Sequence, residues 1–295
     1  MILRSTILSF LAALAMTPLL ASCSKVALFD TLVPYDSGAR RVAHDVAYGD
    51  EPRQSLDIYR PKNASGSTPV VFFIYGGSWD SGSKANYAFV GNAFAAAGYV
   101  TVIADYRLVP EVRYPAFVED DAKALAWTVH NIARYGGDPH RLFVAAHSAG
   151  SYNAMMLASD PHFLRAEGLS PSDLSGVAAL SGPYDFLPLA APSTKAAFGN
   201  APDLKATQPI NHVHSGMPPI FLATGRADTT VRPRNTTLMG EKLAAAGVPH
   251  TVKTYPDIGH AGMVVALARP FRGRAPVLHD MLAFFARHGG VAPSQ

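Results

Sequence analysis

Residues 142–150 read Leu-Phe-Val-Ala-Ala-His-Ser-Ala-Gly, and this stretch predicts a buried strand that turns sharply into a helix. The apolar residues at its start suit a strand covered on both faces, and the helical stretch 151–159 follows. A serine on such a turn holds its hydroxyl above the edge of the sheet, and the next backbone N–H lies ready at the helix N-terminus. Ser148 and Ala149 are therefore candidate site residues. The alternative is that Ser148 only caps the helix.

Short apolar runs alternate with longer amphipathic stretches on both sides of this segment. The alternation predicts βαβ units, and so an α/β fold with a mostly parallel central sheet and helices on both faces. The predicted central strands are 70–75, 99–104, 142–146, 177–180, 220–224 and 251–255, after an antiparallel pair at 42–48 and 55–59. The predicted helices are 85–97, 117–135, 235–246 and 277–288, and a glycine follows each of them.

Composition supports one compact domain with a large buried core. Of the 295 residues, 48% are hydrophobic and only 16% are charged, and no internal repeat or long linker divides the chain. The formal net charge is +3, and the lysines and arginines are scattered along the chain without forming a basic stripe. Nucleic-acid binding is therefore not expected.

A glycine-rich corner follows the predicted strand 70–75. In an open α/β sheet the chemistry gathers at the carboxyl ends of the strands. Gly76 and Gly77 let the backbone bend so that N–H groups point into such a site, with Ser78 directly behind them. We expect the N–H groups of Gly77, Ser78 and Ala149 to form an oxyanion hole, with Gly76 as a further candidate. A plain tight turn is the alternative.

Two further polar residues follow later strands. Asp228 comes after strand 220–224, and His260 comes after strand 251–255. With Ser148 they give the chain order Ser, Asp, His, in which the histidine takes the serine proton and the aspartate orients the imidazole. Asp257 is the rival acid, but it would have to reach back along its own loop. The prediction is therefore a triad of Ser148, Asp228 and His260.

The first 22 residues have the pattern of a signal peptide, with Arg4 ahead of an apolar run at 6–20. Residues 20–23, Leu-Ala-Ser-Cys, resemble the lipobox of bacterial lipoproteins, which makes Cys23 the predicted lipidation site. Cys23 is the only cysteine in the chain, so the alternative is an incidental thiol. Ser24 is typical of lipoproteins sent to the outer membrane. The expected location is the bacterial cell envelope, at the outer membrane or the periplasmic face, with a lipid anchor in the membrane.

Several blocks of sequence resemble the hormone-sensitive-lipase and carboxylesterase branch of α/β-hydrolases, including its feruloyl-esterase-like and kynurenine-formamidase-like members. Besides the triad, the resemblance rests on Asp-Tyr-Arg-Leu at 105–108, Tyr-Pro-Ala at 114–116 with Asp120, and Tyr-Gly-Gly-Asp-Pro at 135–139. It covers nearly all of the chain after residue 23. Asp105, Arg107 and Asp120 are expected to form buried or half-buried ion pairs that hold loops.

Two positions depart from the patterns of this family. Ala146 stands where the motif Gly-x-Ser-x-Gly has its first glycine, so an extra methyl group must fit a crowded turn. Tyr75 replaces the usual histidine of the His-Gly-Gly corner. The second change concerns the support of the loop and leaves the backbone donors in place.

The expected organisation is a signal peptide at 1–22, a tether at 23–40 and a hydrolase domain at 41–290. Within that domain the proline-rich stretch 183–218 is the candidate cap, and a cap this small suits short acyl or aryl esters. Farther along, Arg269, Arg272 and Arg274 form a local basic loop that is either solvated surface or a contact for anionic substrates or lipid headgroups.

The resemblance implies a serine hydrolase that cleaves an ester through an acyl-enzyme on Ser148. Its expected partner is a small-molecule ester, and no cofactor, metal or obligate protein partner is expected. No metal-ligand spacing, dinucleotide fingerprint or phosphate-binding loop stands in the sequence. Alternatives are an amidase or arylformamidase on the same triad, or an envelope lipoprotein without catalytic activity.

Overall fold

A computed structural model describes residues 25–64 and 66–292 of the chain. In this part the chain forms one eight-stranded sheet with the strand order β1-β2-β4-β3-β5-β6-β7-β8. The strands are β1 (Ala39–Ala47), β2 (Ser55–Pro61), β3 (Thr68–Ile74), β4 (Val100–Ala104), β5 (Gly137–His147), β6 (Gly176–Leu180), β7 (Ile220–Gly225) and β8 (His250–Tyr255). The first two pairings, β1 with β2 and β2 with β4, are antiparallel, and all the others are parallel. The predicted fold class is confirmed.

Helices precede, connect and follow the strands. They are α1 (Lys25–Leu32), α2 (Ala88–Ala96), α3 (Ala116–Asn131), α4 (Ala149–Ser159), α5 (Pro161–Ala166), α6 (Pro192–Phe198), α7 (Arg234–Ala245), α8 (His260–Val265) and α9 (Val277–Arg287). The two long stretches predicted at 85–97 and 117–135 each divide into an α-helix and a 3₁₀ turn, at Lys84–Tyr87 and Ile132–Tyr135. No helix of the described part is both long enough and apolar enough to cross a bilayer.

The core lies on both faces of the central strands. Strands β3, β4 and β6 are buried along their whole length, and β5 is buried from Leu142 to His147. These runs carry apolar side chains without alternation because helices cover both faces of the sheet. The expectation that β8 is equally buried is wrong. It is the edge strand, and Val252 keeps 41% of its surface exposed.

The segment 23–40, predicted as a tether, is from residue 25 onward a packed part of the domain. Residues Lys25–Leu32 form α1, and β1 already begins at Ala39. The Asp30 carboxylate accepts a hydrogen bond of 2.9 Å from the N–H of Phe89 in α2. Phe29 packs edge-on against the ring of Phe89, with 5.2 Å between the centroids. The short polar and apolar stretches of this segment carried too little periodicity to predict the helix. Cys23 and the predicted signal peptide lie outside the described residues.

The predicted ion pairs support the loops next to the sheet. Arg107 forms a bidentate pair with the buried carboxylate of Asp120, at 2.8 and 2.9 Å. Asp105 accepts hydrogen bonds from the hydroxyl of Tyr75 at 2.7 Å and from the backbone of Lys84, whose ammonium lies 3.4 Å away. The expectation of a structural role for these three charged residues is confirmed.

Candidate active site

Ser148 sits between β5, which ends at His147, and α4, which begins at Ala149. Its backbone has φ 57° and ψ −124°, a conformation that a non-glycine residue holds only when its surroundings enforce it. One such constraint is the N–H of Ser148, which donates to the carbonyl of Leu180 at 2.9 Å. Another is Gly150, where any Cβ would clash with the carbonyl oxygen of Ile74. Position 150, two residues after the serine, therefore requires glycine. Two residues before the serine, Ala146 is buried and its methyl group fits.

The structure brings together the three residues that the sequence predicts as a triad. The Oγ of Ser148 lies 2.8 Å from Nε2 of His260, and Nδ1 of the same ring lies 2.8 Å from Oδ2 of Asp228. Asp228 is buried and His260 is partly exposed. A serine hydroxyl can donate to Nε2 only if the proton of the neutral ring sits on Nδ1, which is the arrangement that the carboxylate favours.

Hydrogen bonds from His260 and from backbone N–H groups favour the charged form of the Asp228 carboxylate. Its Oδ1 accepts hydrogen bonds from Thr230 at 3.0 Å and Val231 at 2.8 Å, which leaves Oδ2 for His260. Burial by itself raises the pKa of this carboxyl, but the bonds from His260 and Val231 outweigh burial, and the pKa is lowered. Asp257, the rival acid, is exposed in a left-handed turn at φ 55°, and no hydrogen bond joins it to His260.

The glycine-rich corner after β3 lies directly against the serine. A Cβ on Gly76 would approach the Cβ of Ser148 to 2.8 Å, so only glycine allows this contact. Gly77 has φ 138°, and a Cβ there would clash with the carbonyl of Ser81. Ser78 and Ala149 line the same cavity as Ser148. Two of the predicted oxyanion donors thus line the cavity of Ser148, and the role of all four residues remains a prediction.

Tyr75 supports this corner from below. It is fully buried, and its hydroxyl donates to Asp105 while it accepts from the guanidinium of Arg53 at 3.0 Å. Arg53 also donates to the carbonyl of Gly82 at 2.9 Å, on the far side of the same loop. Tyr75 thus holds the corner in place through its ring and hydroxyl. Its replacement of the usual histidine therefore concerns the support of the loop and not the backbone N–H groups.

A second set of contacts that supports the loop after β3 was not predicted from the sequence. The indole N–H of Trp79, one residue after Ser78, donates to the side-chain oxygen of Asn153 at 3.0 Å. The amide nitrogen of Asn153 in turn donates to Asp121 at 2.7 Å. All three side chains are buried, and Asn153 stands on α4 a little more than one turn after Ser148. The network therefore ties the loop of the predicted oxyanion donors to the helix that carries the serine.

Burial strongly raises the pKa of Asp121, which favours the neutral form of its carboxyl in the folded protein. In the unfolded chain it ionises near pH 4, so this group disfavours folding increasingly as the pH rises from there to the folded pKa. We expect Asp121→Asn, which keeps the acceptor for Asn153, to unfold at a higher temperature than wild type. The increase in unfolding temperature should be absent near pH 4 and should grow by up to about 3 °C for each pH unit above that. Thermal unfolding at pH 4, 5.5, 7 and 8.5 measures this, and a difference that does not change with pH would contradict it.

His147 is a further residue of the site that motif reasoning missed. Its Nε2 lies 3.1 Å from the backbone oxygen of His260, and the two rings are 4.9 Å apart. Burial, together with the neighbouring His260, lowers the pKa of His147 to about 3. The neutral ring can therefore only donate through Nε2–H to that carbonyl. It helps to hold His260 in place without adding a charge beside it.

A cavity of about 410 Å³ opens above Ser148. Its far wall comes from the predicted cap, through Phe186, Leu187 and residues 190–194. Phe186 and Phe198 of this stretch pack on Trp79, with centroids 6.2 and 4.8 Å away. The remaining lining of the cavity comes from the segment between Thr230 and Asn235, which leads into α7. The first part of the stretch 183–218 therefore lines the cavity above the serine.

One group of potential metal ligands lies elsewhere in the described residues, at His44, Asp45 and Asp57. Lys84 is paired with the carboxylate of Asp45, and Arg41 is paired with that of Asp57 at 3.0 Å. Protein cations thus already balance these acids. The group lies at the antiparallel edge of the sheet and is separate from the triad.

Known proteins resemble this chain in sequence and in fold. It is 27% identical over 263 residues to isoprenylcysteine alpha-carbonyl methylesterase from Arabidopsis thaliana, covering 82% of this chain and 61% of that one. It is 31% identical over 229 residues to esterase LipC from Mycobacterium tuberculosis, covering 70% and 56%. The chain thus spans less than two thirds of these relatives.

An inhibited form of esterase B from Lactobacillus rhamnosis shares the fold, with a TM-score of 0.78 at 21% identity over 97% of both chains. The family model that matches is BD-FAE, over residues 56–243, which include Ser148 and Asp228 and the loops between them. This match covers more than half of the sequence and spans β3 to β7 of the parallel part of the sheet. The chain therefore belongs to the BD-FAE family of α/β-hydrolases.

Proposed function

We propose that this protein is a carboxylesterase that cleaves short-chain acyl or aryl esters through an acyl-enzyme on Ser148. The observation that carries the proposal is the continuous hydrogen-bonded chain from Ser148 through His260 to Asp228. The esterase names of the sequence relatives support the same reaction class.

In the first half of the reaction, His260 takes the proton of Ser148 as Oγ attacks the ester carbonyl. The Asp228 carboxylate stabilises the imidazolium that forms, while the N–H groups of Ser78 and Ala149 donate to the oxyanion. Collapse of this intermediate breaks the carbon–oxygen bond, and His260 gives its proton to the departing alcohol. Water then attacks the acyl group with His260 as base, which releases the acid and restores Ser148.

The size of the site favours a small acyl group. The cavity of about 410 Å³ lies toward the small end of small-molecule sites, and the capping stretch closes it with Phe186 and Leu187. An aryl or short alkyl group can fill this space against Trp79. A long acyl chain would have to extend past the cap into water and would gain little from burial.

The decisive test is hydrolysis of p-nitrophenyl acetate, butyrate and octanoate by the full chain. We expect kcat/KM to be at least tenfold higher for the two short esters than for octanoate, because the octanoyl chain exceeds the cavity and is obstructed by Phe186 and Leu187 in the transition state. An aryl phosphonate should inactivate the enzyme by transferring its phosphonyl group to Ser148 with loss of the aryl alcohol, so that the peptide containing Ser148 gains the mass of the phosphonyl group. Equal rates across the series would contradict the proposed acyl preference. Hydrolysis of N-formylaniline with inert esters would instead indicate the amidase alternative.

A further inference from the structure

An apolar surface that does not belong to the active site lies at the N-terminal end of the described chain. It forms a groove of about 400 Å³ between α1 and the 3₁₀ turn Arg269–Arg274, and the side chains of Leu28, Phe29, Leu32 and Phe271 line it. We call this the α1 face. Leu28 is 59% exposed and Leu32 is 73% exposed. With Tyr35 they are three of the four large hydrophobic residues exposed anywhere in the described chain, the fourth being Val252.

The α1 helix is firmly docked, so this exposure does not come from a frayed end. Asp30 accepts from the N–H of Phe89 at 2.9 Å and from the hydroxyl of Tyr35 at 2.8 Å. The ring of Phe29 packs on those of Phe89 and Phe271, with 5.5 Å between the centroids of the second pair. One side of the helix thus belongs to the core, and the leucines of the other side are held outward.

The rim of the α1 face is positively charged. Arg269 and Arg274 are exposed, and neither has an acidic partner among the described residues. Arg272 differs, because it makes a bidentate pair with Asp36 at 2.7 and 2.8 Å. The guanidinium of Arg274 lies 5.9 Å from the ring of Phe271, at the edge of the groove. The two unpaired arginines suit the anionic headgroups of a lipid surface, and the exposed leucines suit the apolar layer beneath them.

The position of this face along the chain supports the same partner. The helix begins at Lys25, two residues after Cys23, the predicted lipidation site. Two residues reach at most roughly 7 Å. A lipid on Cys23 would therefore hold α1 against the bilayer, which is where exposed leucines lose their contact with water.

We propose that the α1 face is a membrane-contacting surface that lies on anionic lipid headgroups, with Leu28 and Leu32 inserted below them. This surface sets how the domain is oriented on the membrane. The proposal concerns a surface outside the catalytic cavity and does not depend on the hydrolytic activity.

The first test uses the full chain bound to vesicles of phosphatidylethanolamine and phosphatidylglycerol that contain brominated acyl chains. Leu32→Trp places a fluorophore on the α1 face, and Val252→Trp places one at another exposed position, in the edge strand β8. We expect bromine to quench the Leu32→Trp signal at least twofold more than the Val252→Trp signal. Equal quenching of both variants would overturn the proposal, however tightly the chain is tethered.

The second test compares partition to vesicles in a Cys23→Ala background, where every variant keeps the same N-terminal apolar run. Leu28→Gln with Leu32→Gln should lower partition roughly 10-fold, and Val252→Gln should not change it.

Arg269→Gln with Arg274→Gln should lower partition roughly 10-fold on anionic vesicles and leave partition to phosphatidylcholine vesicles unaffected. Circular dichroism confirms that each variant is folded. Unchanged partition together with a smaller mass in light scattering would show that a second copy of the chain occupies the face, and would overturn the proposal.

Discussion

Replacing Ser148 with alanine is expected to lower kcat for p-nitrophenyl acetate by about 10⁵- to 10⁶-fold, which would leave only the background provided by the oxyanion donors and binding. The reason lies in the geometry of the turn. Ser148 is held at φ 57° with its Oγ 2.8 Å from Nε2 of His260. No other hydroxyl is bonded to that nitrogen in the described residues, so no neighbour can replace the nucleophile.

Ser193 provides a matched control, since it lines the same cavity on the capping stretch. Ser193→Ala removes an equivalent hydroxyl and should keep the wild-type rate within about twofold, because the residue has no part in the triad. Stopped-flow and steady-state rates at pH 8 would show both effects, with circular dichroism to confirm folding. A Ser148→Ala enzyme that retains a tenth of the activity would exclude the acyl-enzyme mechanism proposed here.

The Asp228→Asn substitution is expected to lower kcat by about 10⁴-fold, with little change in KM. The two N–H groups of Thr230 and Val231 point at Oδ1, so the amide oxygen of asparagine will occupy that position. Its NH₂ group then faces Nδ1 of His260 and can only donate to it. The imidazole must carry its proton on Nε2, and it can no longer accept one from Ser148.

Asp257→Asn is the matched control for this prediction, because it removes a carboxylate close to His260 in sequence. Asp257 is exposed and makes no hydrogen bond to the histidine, so its variant should keep nearly the full rate. The pH dependence of kcat for both variants provides a second readout. An inactive Asp257→Asn together with an active Asp228→Asn would mean that the acid of the triad had been assigned wrongly.

Local spacing in the sequence determined most of the sheet and the position of the nucleophile turn. Buried strands must be short and continuously apolar, and a serine flanked by small residues after such a run has few other conformations to adopt. The order Ser148, Asp228, His260 followed from the same rule, since each residue comes after a predicted strand. Parallel strands bring their carboxyl ends to one edge, so sequence spacing alone was enough to gather the triad there.

Contacts between residues far apart in the chain were decided only by the tertiary structure. The sequence favoured Asp228 over Asp257 because Asp257 lies on the loop of His260 itself, but only the structure shows that Oδ2 of Asp228 reaches Nδ1 of His260, at 2.8 Å. The link from Trp79 through Asn153 to Asp121 joins three elements whose spacing carries no motif. The same is true of α1, which docks through the hydrogen bond from the N–H of Phe89 to Asp30 and through aromatic packing. Periodicity reports which side of an element is buried, but which partner covers it is determined by packing across the whole domain.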